Sequence, residues 1–582
     1  MVVDRTLMAV WIVLVAAGLV SSGPCGLALL AAQPELAPGG AALQDSAAVR
    51  DEAEDAQADF EQARVGLLPW TRSAPPQPCD EIVGRFCFWH GHGEDAWTPS
   101  PEHPDVEQAR ERLLGQLAKA ARTVPGDGWI AGQRVRYLVE AGRLREALAV
   151  ARACRAEPWW CRALEGYATH VSGDHAGAEA AFDAALAAMP PAERERWTDL
   201  ELILDRDLAR TWKALGAGAR AAFARRLWWL ADPLWSVPGN ERRTEHFARH
   251  ALDRLLESAR NPYRIGWGSD LRELTIRYGW SVGWERVRPD LGSLGSGSRP
   301  SVVGHDPPGG RRFVPPIEVF VAPFEARPED WPLAPSRPRS TYAPAYADSV
   351  LELAHQLAVF RRGDSAVVAA SYELEDDGTS QVERAALVVA SGPDAAPARV
   401  DTNSPHRGLS VGAPWAPLVA SLEVRAGGRA ARARYGLGLP SAPFALSDVL
   451  LLTWRGSLPA TLPEALSMAR GSTRVSTRER VAIYFEVYPP EGSSGAARIE
   501  LSLRDERGGF WRGLGAMLGL GAAPTGEVAL AWSEAVAPGT SVHPRALLVE
   551  LPAVPAGEYA LVLEVTLPDA STARTERRIS LR

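Results

Sequence analysis

The chain has 582 residues, too many for one hydrophobic core, so several domains are expected. Its 46% hydrophobic and 23% charged content is that of ordinary globular protein. A net charge of −8 gives no basic footprint for nucleic acid, and the basic residues are almost all arginine, with lysine only at Lys119 and Lys213.

At the N-terminus, Arg5 precedes an apolar run from Leu7 to Val20 and then small residues to Ala32. This is a signal-peptide pattern over 1–32, with Leu30-Ala31-Ala32 as the cleavage end. Two rivals stand beside it. Cys25 follows Ser22-Gly23-Pro24, a lipidation position weakened by the proline. Leu7–Ala32 also approaches the length of an uncleaved anchor, interrupted by Gly23-Pro24. All three place the bulk of the chain outside the cytoplasm, periplasmic or envelope-associated, with membrane association through the N-terminus open. Export permits disulfides. Cys79, Cys87, Cys154 and Cys161 allow three connectivities, and the local pairs 79–87 and 154–161 are favoured.

Residues 33–78 are rich in Ala, Pro, Asp, Glu and Gln and read as a linker, partly helical over Gln44–Val65. From 79 to 222 the pattern is helical. Val106–Ala121 is amphipathic. Glu140–Ala147 then aligns with Val171–Ala178 at a shift of 31 residues. Trp129–Glu140 and Trp160–Val171 are first helices of a pair, and Leu144–Arg155 and Ala176–Met189 are second helices. This resembles tetratricopeptide repeats of slightly short period, which implies either a concave peptide-binding surface or a helical spacer. Trp197–Ala222 is expected to continue as helix through Leu200, Leu204, Leu208, Trp212 and Leu215.

The segment 223–290 opens with the turn formers Asp232-Pro233 and Pro238-Gly239, and Asn240 is an N-cap for a helix to about Ser258. Gly266-Trp267-Gly268-Ser269-Asp270 reads as a tight turn. Leu274, Ile276 and Tyr278 alternate as a strand, Gly279 turns the chain, and Val282, Trp284 and Arg286 suggest a returning strand. Together, Gly266-Trp267-x-Ser269-Asp270, Arg272-x-x-x-Ile276-x-Tyr278-Gly279, and Asp232-Pro233 with Asn240 upstream resemble the GWxTD domain of bacterial envelope proteins. Ser269 stands where that family has Thr, and Trp280-Ser281 departs from its x-Pro. The resemblance extends to Leu446–Leu450 and Ile483–Tyr488. It implies an envelope context and a structural or binding role for the motif residues Asp232, Asn240, Gly266, Trp267, Ser269, Asp270, Tyr278 and Gly279. It implies no catalytic activity.

Residues 291–345 are Pro/Gly-rich and irregular, with Ile317–Val321 as one strand signal. From 346 the chain reads β, with strands expected at Leu351–Phe360, Ala366–Glu375, Ala385–Ser391, Leu418–Val424, Ala431–Leu437, Val449–Trp454, Val481–Tyr488, Ile499–Arg504, Val528–Trp532, Ala546–Leu551, Tyr559–Thr566 and Thr575–Leu581. Two immunoglobulin-like β-sandwiches, 346–458 and 459–582, suit this number, with the seam between Pro459 and Thr477. Gly508–Ala523 interrupts the pattern. Phe510, Trp511, Leu514 and Met517 are partner-contact candidates there, unless the loop folds over its own domain.

His246 and His250, four apart on the central helix with Glu245 beside them, put two imidazoles on one face. The glutamate is not in the HExxH position, so a polar helix face is the plainer reading. His90 and His92, with Glu94, Asp95 and His103, form a second polar cluster, read as a solvated loop or a chelating turn. Asp270 is expected to cap its turn over Trp267. No nucleophile elbow, Walker loop or dinucleotide fingerprint is present, and no cofactor is implied.

The sequence therefore points to a multidomain α + β chain: an N-terminal α-helical repeat domain, a small α+β GWxTD-like module and C-terminal β-sandwiches. The expected function is that of a non-enzymatic exported envelope protein, a scaffold or protein-binding module with a protein partner. The alternatives are a metal-dependent hydrolase-like enzyme centred on 245–270, and carbohydrate or surface binding through the sandwiches.

Overall fold

The computed structural model describes residues 38–71, 79–90, 100–287, 302–374, 382–403, 408–439, 445–477, 479–490, 495–505, 528–536, 541–550, 555–567 and 569–582. The signal or anchor segment 1–32, Cys25, His92 and the Phe510–Met517 loop lie outside these residues. Chain contacts divide Met1–Ala48 from Val49–Arg582, and α1 (Pro38–Leu67) begins in the first unit. The second unit holds the rest of α1 and every later element.

The helix expected over Gln44–Val65 is present and longer, and it carries a packed face. Ala53, Gln57, Phe60, Glu61, Arg64 and Val65 of α1 are buried at spacings of three and four, as a helix on a core requires. A small hairpin, β1 (Glu81–Val83) and β2 (Phe86–Phe88), comes after it, and Cys79 and Cys87 are bonded across its base. Next is α2 (Pro104–Thr123), capped by His103, with Leu113, Leu114 and Leu117 buried. Two helical hairpins succeed it: α3 (Gly128–Glu140) with α4 (Leu144–Arg152), and α5 (Pro158–Val171) with α6 (His175–Ala188). Gly142 and Gly173, 31 residues apart, make the two hairpin turns at φ +70° and +83°, where glycine is the favoured residue. Buried alanines at 147, 151, 178 and 185 let the helices close, and Phe182 packs on the bare backbone of Gly166. Cys154 and Cys161 are bonded between the hairpins.

The single helix expected over Trp197–Ala222 is broken into α7 (Pro191–Thr198), a 3-10 turn (Glu201–Ile203), α8 (Arg206–Ala214) and α9 (Ala217–Ala231). Asp199 is the physical reason for the first break: its carboxylate accepts from the Glu201 amide at 3.1 Å and the Trp212 indole at 2.8 Å. Gly216 makes the last break in extended backbone. The apolar spacing is real, because Leu200, Leu204, Leu208 and Trp212 share one core, but it is carried by separate pieces.

Asn240 caps α10 (Glu241–Glu257), whose end at Ser258 is as expected. The strand expected after it is absent. Ser269–Tyr278 is a helix, α11, started at extended Gly268 and ended by Gly279 at φ +93°. Leu271, Thr275 and Tyr278, at spacings of four and three, are the buried set that decides it. β3 (Gly283–Arg286) therefore pairs with the distant β4 (Val302–His305). Ile317–Val321, expected as a strand, is the short helix α12, which buries Val319 and Phe320 and leaves Val321 exposed.

The remainder is built of sheets. β5 (Val350–Glu352), β6 (Ala354–Arg362), β7 (Ser365–Glu373), β8 (Val382–Ala390), β9 (Ala398–Thr402), β10 (Gly408–Pro414), β11 (Leu418–Ala426) and β12 (Arg429–Leu437) form two sheets, ordered β10-β7-β6 and β5-β12-β11-β8-β9. Leu351–Phe360 is thus two strands in different sheets. Leu357, Val368 and Leu409 of one sheet share a core with Leu387, Leu422 and Ala433 of the other. A second pair is made by β13 (Ala445–Leu446), β14 (Leu450–Thr453), α13 (Leu462–Ser467), β15 (Arg474–Val475), β16 (Arg480–Tyr488), β17 (Gly495–Asp505), β18 (Val528–Val536), β19 (His543–Glu550), β20 (Gly557–Thr566) and β21 (Thr572–Leu581). Here β16 carries β13, β14 and β19, and the facing sheet is β15-β21-β20-β17-β18. Because β13 and β14 already pair with β16, the change of sheets falls between Leu437 and Ala445, not between Pro459 and Thr477. The chain is a mixed α and β protein of several small sheets.

Candidate functional site

α10 is the axis of the polar interior. The Asn240 side-chain oxygen accepts from the Arg243 amide at 2.9 Å, and its amide donates to the Trp228 carbonyl at 2.7 Å. The helix is enclosed on most sides, so Glu241, Arg242, Thr244, His246, Arg249, His250 and Asp253 are all buried. Polar groups so placed need partners from neighbouring elements. His170 of α5 supplies one set, with Nδ1 2.9 Å from Thr244 Oγ1 and Nε2 2.7 Å from Glu245 Oε2. Arg249 donates to Glu245 at 2.5 Å and to the carbonyls of Ile276, Arg277 and Thr341 at 3.1, 2.8 and 2.8 Å. Burial alone would raise the Glu245 carboxyl, yet Arg249 and His170 hold it well below its usual range.

At the start of α10 the balance reverses. Glu241 accepts from the Tyr346 hydroxyl at 2.6 Å and the Tyr342 hydroxyl at 3.3 Å, and His175 Nε2 lies 3.8 Å away. Among the described residues no arginine or lysine is paired with it, and burial pushes its pKa up to about 8. Burial, then the proximity of Glu241, pushes Asp232 well above its ordinary value. Burial also lowers His175 to about 4.

A cleft of about 370 Å³ opens beside Glu241. It is lined by the α5–α6 turn (Val171, Ser172, Gly173) with His175, by Ser236, Val237 and Pro238, by Ala345 and Tyr346, and by Arg384 and Arg425. Gly239 fixes one wall: it has φ +82°, and a Cβ there would lie 2.4 Å from the Ala176 amide nitrogen. The sheet fixes the other. Glu423 of β11 accepts from the amides of Trp235 and Ser236 at 2.9 and 2.8 Å. Arg432 and Arg434 of β12 donate to the carbonyls of Asp232, Pro233 and Leu230. The Asp232–Ser236 turn is thereby clamped onto β11 and β12. The cleft offers cationic and N–H groups at its wall, beside the carboxyls of Glu241 and Asp232, whose pKa values burial raises.

Of the residues singled out from the sequence, Asp232 and Asn240 belong to this region. Gly266, Trp267, Ser269, Asp270, Tyr278 and Gly279 do not. Asp270 lies in the first turn of α11 and receives Arg85 Nε at 2.6 Å, Arg85 Nη2 at 2.7 Å and the amides of Arg85 and Leu271 at 3.1 and 2.8 Å. These hydrogen bonds, the Arg85 side chain foremost, draw its pKa down to about 2. Arg85 also donates to the Gly266 carbonyl at 3.0 Å, while Ser269 is exposed. Trp267 is half-buried against Trp280, packs on the core that holds Leu271 and donates to Asp253 at 2.9 Å. Tyr278 stacks on Phe88 at 4.0 Å, and Gly279 approaches Arg249.

His246 and His250 are buried, and their rings lie 4.7 Å apart between Trp228 and Trp197. His246 Nε2 meets the Trp197 carbonyl at 3.1 Å. Burial, reinforced by Arg242, lowers His246 to about 3, and burial holds His250 well below its ordinary range. Both are neutral core imidazoles, and the polar helix face expected of them is an interior one. Glu245, His246 and Asp270 each engage different partners. His90 is buried, with Nε2 3.3 Å from Glu81. Among the described residues no group of three or more His, Cys, Asp or Glu could hold a metal ion.

The cleft residues His175, Tyr346, Arg384 and Arg425 carry no local sequence signal, since they come from four separate elements. No family model matches the chain, and no curated protein matches it.

Proposed function

We propose that this is a non-enzymatic exported protein of the cell envelope, acting as a scaffolding or protein-binding module. The observation that carries the reading is where the candidate chemistry lies. His246 and His250 are packed between tryptophans, Glu245 is held by Arg249 and His170, and Asp270 is held by Arg85. Each group serves the fold, and they do not converge on one point as a reaction centre requires. The two local disulfides support export, with Cα–Cα separations of 5.6 and 5.5 Å, because such bonds persist in oxidising compartments. Among the described residues no helix is long and apolar enough to cross a membrane.

In this reading the α3–α4 and α5–α6 hairpins are tetratricopeptide-like, the 223–290 region is GWxTD-like, and the two sheet pairs are immunoglobulin-like sandwiches. The repeats act as a spacer in preference to an open peptide groove. Their first helices already meet other parts of the chain: Phe60 and Glu61 of α1 contact Tyr137 and Arg136, and Leu255 of α10 sits on Gly132.

Metal analysis of the purified full chain, beside a His246→Ala/His250→Ala variant, tests the non-enzymatic reading. The expected result is no stoichiometric metal in either protein. Metal present in the parent and lost in the variant would overturn it and make α10 an active-site element. Thiol counting on protein recovered from the envelope should find the four cysteines blocked until reduction.

A further inference from the structure

Arg384 and Arg425 stand directly opposite each other on the antiparallel strands β8 and β11. Side chains in that relation share one face, with Cβ atoms about 5 Å apart, and like charges so placed repel. Both residues line the cleft beside Glu241. The carboxylates nearby answer this only in part. Asp401 accepts from Arg384 Nε at 2.8 Å, but it also accepts two hydrogen bonds from Arg399, each at 2.6 Å. The carboxylate paired with Arg425 is Glu383 at 3.7 Å, beyond hydrogen-bonding distance. Among the described residues Arg425 Nε is buried with no hydrogen-bond partner, and the guanidinium lies 4.9 Å from the centre of the Tyr346 ring, which holds its plane.

The opposite wall repeats the theme. His175 is 3% exposed, and among the described residues its Nδ1 has no hydrogen-bond partner. An unsatisfied buried nitrogen is costly unless something outside the chain meets it. Val171, Val237 and Pro238 line the space between these polar groups. Its volume, about 370 Å³, lies in the range of small-ligand pockets.

We propose that this cleft is a carboxylate-binding site, with Arg425 and Arg384 as the cationic anchor, His175 Nδ1 as a further polar contact, and an apolar wall for a short body attached to the carboxylate. This deepens the protein-binding reading and rests on it: the carboxylate is that of a partner chain's C-terminal residue. A small organic acid presents the same chemistry, and the test separates the two.

The experiment is calorimetric titration of the full chain with three probes: an acetylated Ala-Val-Phe tripeptide with a free C-terminus, the same tripeptide amidated, and phenylpropionate. The free acid is expected to bind saturably and the amide about tenfold or more weaker, as loss of a charge-assisted contact implies. Arg425→Gln and Arg384→Gln should each weaken the free acid by a similar factor. Arg384 is exposed, so its variant carries the test if the Arg425 variant fails to fold. Phenylpropionate binding without tripeptide binding keeps the carboxylate site and removes the partner-chain source. Equal binding of acid and amide, no saturable binding of either acid, or undiminished binding in both arginine variants would overturn the proposal. Metal found at α10 would strike the non-enzymatic reading alone and leave this result standing.

Discussion

Glu241 holds a proton that a solvated glutamate would have lost. Its neighbours are Tyr342, Tyr346, His175, Asp232 and Glu423, none of them a positive charge at neutral pH. Its folded pKa of about 8 lies above the 4.5 of an unfolded chain. Between those values the folded state keeps a proton that the unfolded state releases, so this group makes stability fall as pH rises from about 4.5 to 8. His175 and His246 act in the opposite sense below about 6.5, because their folded pKa values are lowered and acid must charge them. Glu241→Gln keeps an acceptor for the Tyr346 hydroxyl and removes the titration. Near pH 8 the variant is expected to be more stable than the parent by on the order of 1–3 kcal/mol. The slope of its urea midpoint against pH should be shallower, with a remainder from Asp232. Parallel slopes in the two proteins would count against a protonated Glu241. Nothing in the local sequence announces this group, because what raises it is burial, and the residues that meet its carboxyl, Tyr342 and Tyr346, lie about a hundred residues away.

At the scale of elements, Asp270 joins a hairpin to a helix. It lies in the first turn of α11, and its carboxylate receives both the side chain and the amide of Arg85 at the turn between β1 and β2. The folded pKa of about 2 lies below the unfolded 3.8, so this contribution is present above the unfolded value and is lost as acid carries the group from 3.8 toward 2. Asp270→Asn is expected to cost about 1–3 kcal/mol of stability, the range for a hydrogen-bonded charge pair. Hydrogen exchange at the Arg85 amide should quicken more than in α10. Uniform destabilisation with Arg85 still protected would mean that the hairpin is held by its disulfide and by Tyr278 on Phe88 alone. The misreading of this helix has a plain cause. Leu274, Ile276 and Tyr278 alternate like a strand, while Leu271, Thr275 and Tyr278 keep helical spacing, and ten residues are too few for pattern to arbitrate. The short apolar run Ile317–Val321 failed in the same way. Ends marked by capping chemistry were legible: Asn240 starts α10, and the turns at Gly142 and Gly173 close the two hairpins. Strands with long apolar runs, such as β16 and β20, were legible too, whereas β9, β10, β13 and β15 are short or weakly apolar and gave no signal.

For the whole molecule, the decisive contacts join residues about two hundred apart in sequence, which no local pattern reveals. The clamp on Asp232–Ser236 is the clearest case. Arg434 is fully buried, donates to the Leu230 and Asp232 carbonyls, lies 3.4 Å from Glu423 and stacks 4.3 Å from the centre of the Trp235 ring. It ties the end of α9 to β12, and so ties the helical part to the first sheets. Arg434→Met would keep much of the side-chain volume but leave Glu423 buried without its cation, at a cost of about 3–5 kcal/mol. That cost falls at the junction: Leu200, Leu227 and Phe320 share one core, which Val419 of β11 joins, and Leu387, Leu422 and Val368 share another. The parent is expected to melt in one main calorimetric transition. The variant should separate into two, with the helical circular-dichroism signal lost at a lower temperature than the sheet signal. A single transition moved down intact would locate the coupling elsewhere, in the close seating of Gly436 on the Phe324 backbone or in the hold of Arg249 on Thr341. Two transitions would make this clamp the element through which an occupant of the neighbouring cleft reaches both halves of the molecule.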